Sequence, residues 1–304
     1  MVFPGQGSQS VGMLSGLAQT FPLVSETFRE ASDTLGYDLW KLVAEGPEAD
    51  LNRTDRTQPA MLAAGVAVWR IWQAQGGKRP ALMAGHSLGE YTALVCADAL
   101  VFADAIALVA ERGRSMQEAV PAGSGAMAAI LGLDDAQVVD VCARAAEGRV
   151  VAAVNFNSPG QVVIAGDAAA VQRAMELAKA TGAKRALPLP VSVPSHCELM
   201  RPAAERFAVQ LQRTAIKPPA IPVIQNVDVT AHESPDAIRE ALKQQLYSPV
   251  QWVKTIEKMR EEGIQRVIEA GPGKVLAGLC KRINKELEAV AVHDPNSLNA
   301  ALKA

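Results

Sequence analysis

The stretch that most constrains the fold is Ala81-Leu82-Met83-Ala84-Gly85-His86-Ser87-Leu88-Gly89-Glu90-Tyr91-Thr92-Ala93. It reads as a short apolar strand, a G-x-S-x-G turn and a helix. A serine in that setting sits on a sharp strand-to-helix turn with its hydroxyl exposed, the pattern of a nucleophile elbow. Gly85 and Gly89 lack a Cβ, so strand and helix can close around a strained residue. The N–H of Leu88, at the start of the helix, is aimed where an oxyanion would form. The motif implies serine acyl chemistry without saying which kind.

With 304 residues, the chain can form one large domain, or a large domain carrying a smaller one. A net charge of -2 and few aromatics (4%) give neither an electrostatic footprint nor a stacking platform for nucleic acid. Apolar runs are broken by Arg70, His86, Glu90 or Asp98 before they could span a membrane. The start, Met1-Val2-Phe3-Pro4-Gly5, carries no basic segment followed by an apolar one, so no signal peptide is expected. Cys96, Cys142, Cys197 and Cys280 form no C-x-x-C, and the four histidines show no metal-ligand spacing. The expectation is a cytoplasmic protein with free thiols and neither metal nor other cofactor.

Around the elbow, the pattern alternates between strands and helices. A short strand (residues 1–3) feeds the loop Pro4-Gly5-Gln6-Gly7-Ser8-Gln9, whose backbone N–H groups could hold an anion. Helices are predicted over 22–35, 58–75 (apolar nearly all round, hence buried) and 102–119. From Pro121-Ala122-Gly123-Ser124-Gly125 the texture changes. Strand 126–131, helix 135–147, strands 150–154 and 161–165, helix 168–180 and strand 183–189 give a β-α-β-β-α-β order, a ferredoxin-like insert. The main pattern then resumes, with a helix to about Gln212, strand 222–227, helices near 236–246 and from Val250, strand 265–269, and a helix from Gly271-Pro272-Gly273 to about Leu287. The fold class is α/β: a large, α/β-hydrolase-like domain with a mostly parallel sheet (residues 1–120 and 191–304) and an inserted ferredoxin-like subdomain (121–190). Neither Gly123-x-Gly125-x-x-Ala128, which precedes a strand, nor Gly273-Lys274, which lacks the rest of a P-loop, has a nucleotide-binding context.

A serine nucleophile needs a base. His86 adjoins Ser87 and points elsewhere, while His232 lies in a polar loop. His196 follows Pro194-Ser195 just before a helix and is favoured. His293, at the end of an apolar run, is the late histidine an α/β-hydrolase would use. A Cys197–His196 pair is a further alternative. Arg112 falls on the inward face of its helix, between Leu108 and Met116, where a guanidinium needs an anionic or hydrogen-bonding partner. A structural arginine paired within the protein meets that need as well as a substrate does.

Together these residues resemble a known family. Phe3-Pro4-Gly5-Gln6-Gly7-Ser8-Gln9, Gly85-His86-Ser87-Leu88-Gly89-Glu90, Glu111-Arg112-Gly113 and Pro194-Ser195-His196 look like malonyl-CoA:acyl-carrier-protein transacylases of the discrete bacterial fatty-acid type. Asn157-Ser158-Pro159-Gly160-Gln161, Tyr247-Ser248-Pro249-Val250-Gln251-Trp252 and Gly271-Pro272-Gly273 match in the same order. Two departures stand out. Met1 occupies a place where the family has several more strand residues, and Ser195 occurs where many polyketide-type malonyl transferases carry an aromatic.

The resemblance implies a ping-pong transfer in fatty acid biosynthesis, from malonyl-CoA to the phosphopantetheine thiol of acyl carrier protein, without cofactor, nucleic acid or membrane. It implies Ser87 as nucleophile and His196 as base, oriented by the main-chain carbonyl of Gln245. The oxyanion donors would be the N–H groups of Leu88 and Gln6, and Arg112 would grip the malonyl carboxylate. Lys184-Arg185 and Lys281-Arg282 with Lys285 are candidates for a basic surface facing the acidic carrier. The rivals are a serine acyl hydrolase using Ser87 and His293, and a non-catalytic scaffold that binds carrier protein.

Overall fold

The computed structural model describes residues 1–121, 123–191 and 193–303. Ala122 of the expected linker, Ser192 near the resumption of the main pattern, and Ala304 lie outside the described residues. The chain begins with strand β1 (Val2–Phe3), then helices α1 (Ser15–Thr20), α2 (Leu23–Leu35), α3 (Leu39–Glu45), α4 (Glu48–Leu51) and α5 (Thr54–Ala74). Strand β2 (Met83–Gly85), α6 (Gly89–Cys96) and α7 (Phe102–Gln117) follow. Next come β3 (Gly125–Leu131), α8 (Asp135–Ala146), β4 (Val151–Ser158), β5 (Gln161–Asp167), α9 (Ala168–Ala180) and β6 (Arg185–Pro188). The remainder is α10 (Arg201–Arg213), β7 (Val223–Ile224), α11 (Pro235–Gln245), α12 (Trp252–Glu261), β8 (Arg266–Ala270), α13 (Val275–Ile283), β9 (Glu288–Val292) and α14 (Pro295–Lys303).

The larger sheet has the order β7-β2-β1-β8-β9, with every pair parallel. Strands β1 and β2, at its centre, are very short, and they are apolar because both faces are covered. Phe3 and Met83 point into one core, shared with α5 and α7, and Val2, Ala84 and Ile224 point into another, shared with α12 and α13. The chain leaves β1 towards β2 and β7 on one side and reaches β8 and β9 on the other. Such a reversal opens a crevice at the carboxyl ends of the strands. The loop after β1 and the elbow after β2 both emerge there.

The smaller sheet, β4-β5-β3-β6, is antiparallel, and α8 and α9 cover one face through a core that includes Ile130, Val162 and Ile164. Its opposite face carries Met127, Val154 and Val163 towards Cys197 of the larger unit. Val250 ties the two units by accepting from Phe156 N–H (3.1 Å) and donating to the Val154 carbonyl (2.8 Å).

The α/β architecture and the β-α-β-β-α-β order agree with the sequence reading; several boundaries do not. Helix α5 begins at Thr54, a turn before the predicted start, so Pro59 lies within it rather than in its first turn. The hydroxyl of Thr57 bonds the carbonyls of Leu51 and Arg53 and holds that added turn. Helix α13 stops at Ile283 instead of Leu287, because Asn284 is extended and its side chain accepts from Glu286 N–H, starting a turn into β9. Helix α14 was not expected. Its signal, Asp294-Pro295 with Asp294 accepting from Ser297 N–H at 2.7 Å, is an ordinary N-terminal cap followed by proline. Among the described residues no helix is long and apolar enough to cross a membrane.

Candidate active site

Ser87 stands between β2 and α6 with φ 52°, a left-handed conformation that is uncommon outside glycine. The flanking glycines make room for it. A Cβ on Gly85 would collide with the backbone of Gly89, and one on Gly89 would collide with the carbonyl of Phe3 in the neighbouring strand. Asn226, just beyond β7, brackets the turn by accepting from Ser87 N–H and donating to the Gly85 carbonyl, each at 2.7 Å.

His196 also has a positive φ (65°), and its N–H bonds the Leu246 carbonyl at 2.9 Å. This presents the ring edge-on to the elbow, with Nε2 2.7 Å from Ser87 Oγ. Nδ1 lies 2.7 Å from the Gln245 main-chain carbonyl. A carbonyl only accepts, so Nδ1 carries the hydrogen and Nε2 offers its lone pair to the serine. Burial, assisted by the positive charge of Arg112, pushes the imidazole down to about 3, so the ring is neutral as a base must be. His86 instead reaches across to the smaller sheet, bonding Asn157 Oδ1 at 2.8 Å beside Trp252. His293 is at the end of β9, three strands from β2, where it faces Asp294. Cys197 Sγ bonds the Pro194 carbonyl, and burial pushes its thiol up to about 12, so it is no thiolate.

The N–H of Leu88 and that of Gln6 have no acceptor among the described residues. Leu88 caps α6 and Gln6 lies in the loop after β1, and both line the cavity that holds Ser87 and His196. Two free backbone donors next to a serine hydroxyl are the means of holding a tetrahedral oxyanion.

Arg112 lines the same cavity from α7, yet its residue is only 1% exposed. Nη1 donates to Gln58 Oε1 and Nη2 to Gln245 Oε1, each at 2.9 Å, while Nε has no partner among the described residues. The guanidinium also lies over the Tyr91 ring, 5.4 Å from its centroid. Burial lowers its pKa, with Glu90 and Tyr91 opposing. Among the described residues no carboxylate forms an ion pair with it. A buried guanidinium held by two neutral amides, with donors to spare, is equipped to take an anion from outside.

The structure therefore brings Ser87, His196, Leu88, Gln6 and Arg112 to one cavity, sets Gln245 behind His196 and Arg112 as their shared partner, and leaves His293 out. Sequence reasoning missed Asn226, Gln58 and Glu90. Asn226 carried a usable signal, since a polar residue at the carboxyl end of a parallel strand borders the crevice. Gln58 and Glu90 look like incidental polar positions at the starts of apolar helices. Of the basic candidates, Arg282 bonds Gln161 at 2.7 Å, and Lys184, Arg185, Lys281 and Lys285 are exposed.

A strained serine, a neutral histidine ordered by a carbonyl, and two free N–H groups define a serine acyl-transfer site. The model of the acyl transferase domain matches residues 1–294. The malonyl CoA-acyl carrier protein transacylase of Escherichia coli (strain K12) is 61% identical over 302 residues, covering 99% of this chain and 98% of that protein. An acyl carrier protein S-malonyltransferase from Vibrio cholerae, known from its crystal structure, superposes with a TM-score of 0.96 at 61% identity, covering 98% of each chain. A malonyl-transacylase solved in complex with a type II PKS acyl-carrier protein gives 0.99 at 59% identity, covering 100% of this chain and 98% of that one. The chain belongs to the acyl transferase family and, within it, to the malonyl CoA-acyl carrier protein transacylases.

Proposed function

We propose that this protein transfers a malonyl group from malonyl-CoA to the phosphopantetheine thiol of acyl carrier protein, for fatty acid synthesis, through a malonyl ester on Ser87. Its relatives bear the name of that reaction. The observation that carries the reading within this chain is Arg112, buried beside Ser87 with no carboxylate paired to it among the described residues. A free carboxylate on the acyl group is what separates malonyl from simple acyl chains.

In this reading, Ser87 Oγ attacks the thioester carbonyl as His196 Nε2 takes its proton. The N–H groups of Leu88 and Gln6 hold the oxyanion, and each such donor contributes about 3–4 kcal/mol to the transition state. Collapse breaks the C–S bond, and the proton on His196 passes to the departing CoA sulfur. The carrier thiol then gives its proton to His196, attacks the serine ester, and releases Ser87 with the proton returned to Oγ. The Gln245 carbonyl keeps the ring oriented throughout. Arg112 holds the malonyl carboxylate, and its planar fork suits that group better than a lysine would.

The reading also takes residues 1–120 and 191–304 as the catalytic unit, 121–190 as an insert that closes the cleft, and the cytoplasm as its location. Lys184, Arg185, Lys281, Arg282 and Lys285 form the surface for the acidic carrier. Mass spectrometry after mixing with malonyl-CoA tests the core of it. A malonyl adduct on Ser87, discharged faster by carrier protein than by water, is expected. Absence of the adduct, or discharge to water at the same rate, overturns it.

A further inference from the structure

Glu90 lies in the first turn of α6, three residues after Ser87, and its side chain is fully buried. One carboxyl oxygen, Oε2, accepts from the Asn226 backbone N–H at 2.8 Å and from Gln245 Nε2 at 2.9 Å. The other has no partner among the described residues. Burial pushes the carboxyl up to about 7, against the pull of its two hydrogen bonds and of Arg112, so it is a costly group to keep there. Its neighbours on α6, Tyr91, Ala93 and Leu94, are buried in the apolar core, and packing of the helix alone does not call for an acid.

Its two partners are the residues that hold the rest of the site. Asn226 brackets the serine turn. Gln245 orders His196 through its main-chain carbonyl and Arg112 through its amide oxygen, while its amide nitrogen also bonds the Ser87 carbonyl at 3.1 Å. The amide of Gln245 could in principle sit either way round. With Glu90 Oε2 and the Ser87 carbonyl on one side, both acceptors, the nitrogen must face them and the oxygen must face Arg112. Reversed, the nitrogen would point donors at a guanidinium. One carboxyl oxygen thus joins the bracket of the nucleophile to the holder of the clamp.

We propose that Glu90 is a positioning residue that sets the preference for malonyl over uncharged acyl groups, by fixing through Gln245 and Asn226 the separation between Arg112 and Ser87. The inference rests on the function proposed above. The site spans a thioester carbonyl and a carboxylate one methylene apart, so a displaced clamp penalises malonyl while leaving acetyl, which makes no use of it, much less affected.

The test compares acylation of Ser87 by malonyl-CoA and acetyl-CoA in the wild type, Glu90→Gln, Glu90→Asp and Arg112→Ala, with burst amplitudes normalising for folded enzyme. Gln keeps the length and can place its amide oxygen where Oε2 is, so the malonyl-to-acetyl ratio of kcat/KM stays within about threefold. Asp keeps the charge but withdraws the acceptor by one methylene, so the ratio falls by about tenfold or more. If Asp slows both substrates by one common factor, Glu90 is merely structural and the inference fails. It fails equally if Gln collapses the ratio as Asp does, since charge rather than placement would then be at work. Arg112→Ala separates the two levels. If it leaves the ratio unchanged, the clamp reading itself is wrong; if it collapses the ratio while Glu90→Asp does not, only the role of Glu90 is lost.

Discussion

The two sheets of this molecule are built on opposite terms. The antiparallel sheet is continuous over seven or eight residues per strand along β3, β4 and β5, and the core beneath it is wholly apolar. The parallel sheet is made of strands as short as two or three residues, and buried polar groups crowd its carboxyl end: Gln58, Glu90, Arg112, His196, Asn226 and Gln245. Among the buried polar side chains of the described residues, only Asn157 and Ser158 belong to the smaller sheet, and Asn157 is bonded to His86 of the elbow. The left-handed backbone at Ser87 and His196 is likewise on the parallel side. The lesson is that one unit supplies ordinary packing while the other carries strain and desolvated charge where chemistry needs them.

The largest effect that would break this contrast concerns the base. Replacing His196 by Ala removes the acceptor 2.7 Å from Ser87 Oγ, and malonyl-serine formation should fall by about four orders of magnitude or more. His293→Ala, at the edge of the parallel sheet, should leave it unchanged. Rapid-quench measurement of the acyl-enzyme distinguishes them. A loss with His293→Ala instead would revive the hydrolase-like order of residues.

Next in size is Arg112→Ala, for which malonyl kcat/KM should fall by about 10²–10³-fold, with acetyl transfer tolerated. Arg112→Lys should recover little, because a single ammonium cannot replace a fork that serves Gln58, Gln245 and a carboxylate together. Competition between the two thioesters reads the ratio directly. Equal losses for both substrates would reduce Arg112 to a structural arginine, making the parallel side no more specialised than any buried polar network.

How much of this was legible beforehand follows the same division. The smaller unit showed itself in order of elements, since its strands and helices carry clean periodicities bounded by turn residues. The elbow, Ser87 and Arg112 were legible from local pattern, but the meaning of Arg112 was not. Spacing put it inward, while only the fold shows that its partners are amides. His196 is favoured over His293 from its place just before a helix, but His293 stays a rival until the topology shows which loop reaches β2. Glu90 and Gln58 were invisible as site residues, because a polar residue near a helix start has common local explanations and their partners lie more than fifty residues away.

The smallest effects should sharpen the contrast through pH. Ile164 is fully buried in the apolar core of the antiparallel sheet, and Ile164→Val should cost about 1 kcal/mol of stability. That cost should be the same at pH 7.5 and pH 5.5, with turnover per folded molecule unaltered, because the ionisable group in that core, the Cys142 thiol, is pushed up by burial to about 12 and stays neutral at both. His196→Gln should behave differently. The folded imidazole is held down to about 3, whereas an unfolded histidine titrates at its ordinary value of 6.5. Between these values the unfolded chain binds a proton that the folded one does not, so acidification below 6.5 destabilises the wild type. The glutamine variant escapes that loss, and relative to wild type it should gain roughly 1 kcal/mol between pH 7.5 and 5.5. Glu90 runs the other way, because its raised pKa makes the folded state the better proton binder between its ordinary value and about 7. It is present in both proteins, however, so its contribution cancels in the comparison. Denaturant midpoints of the three proteins at the two pH values suffice. A pH-independent difference for His196→Gln would mean that the ring is not desolvated as its burial requires, and the strain assigned to the parallel side would lose its electrostatic part.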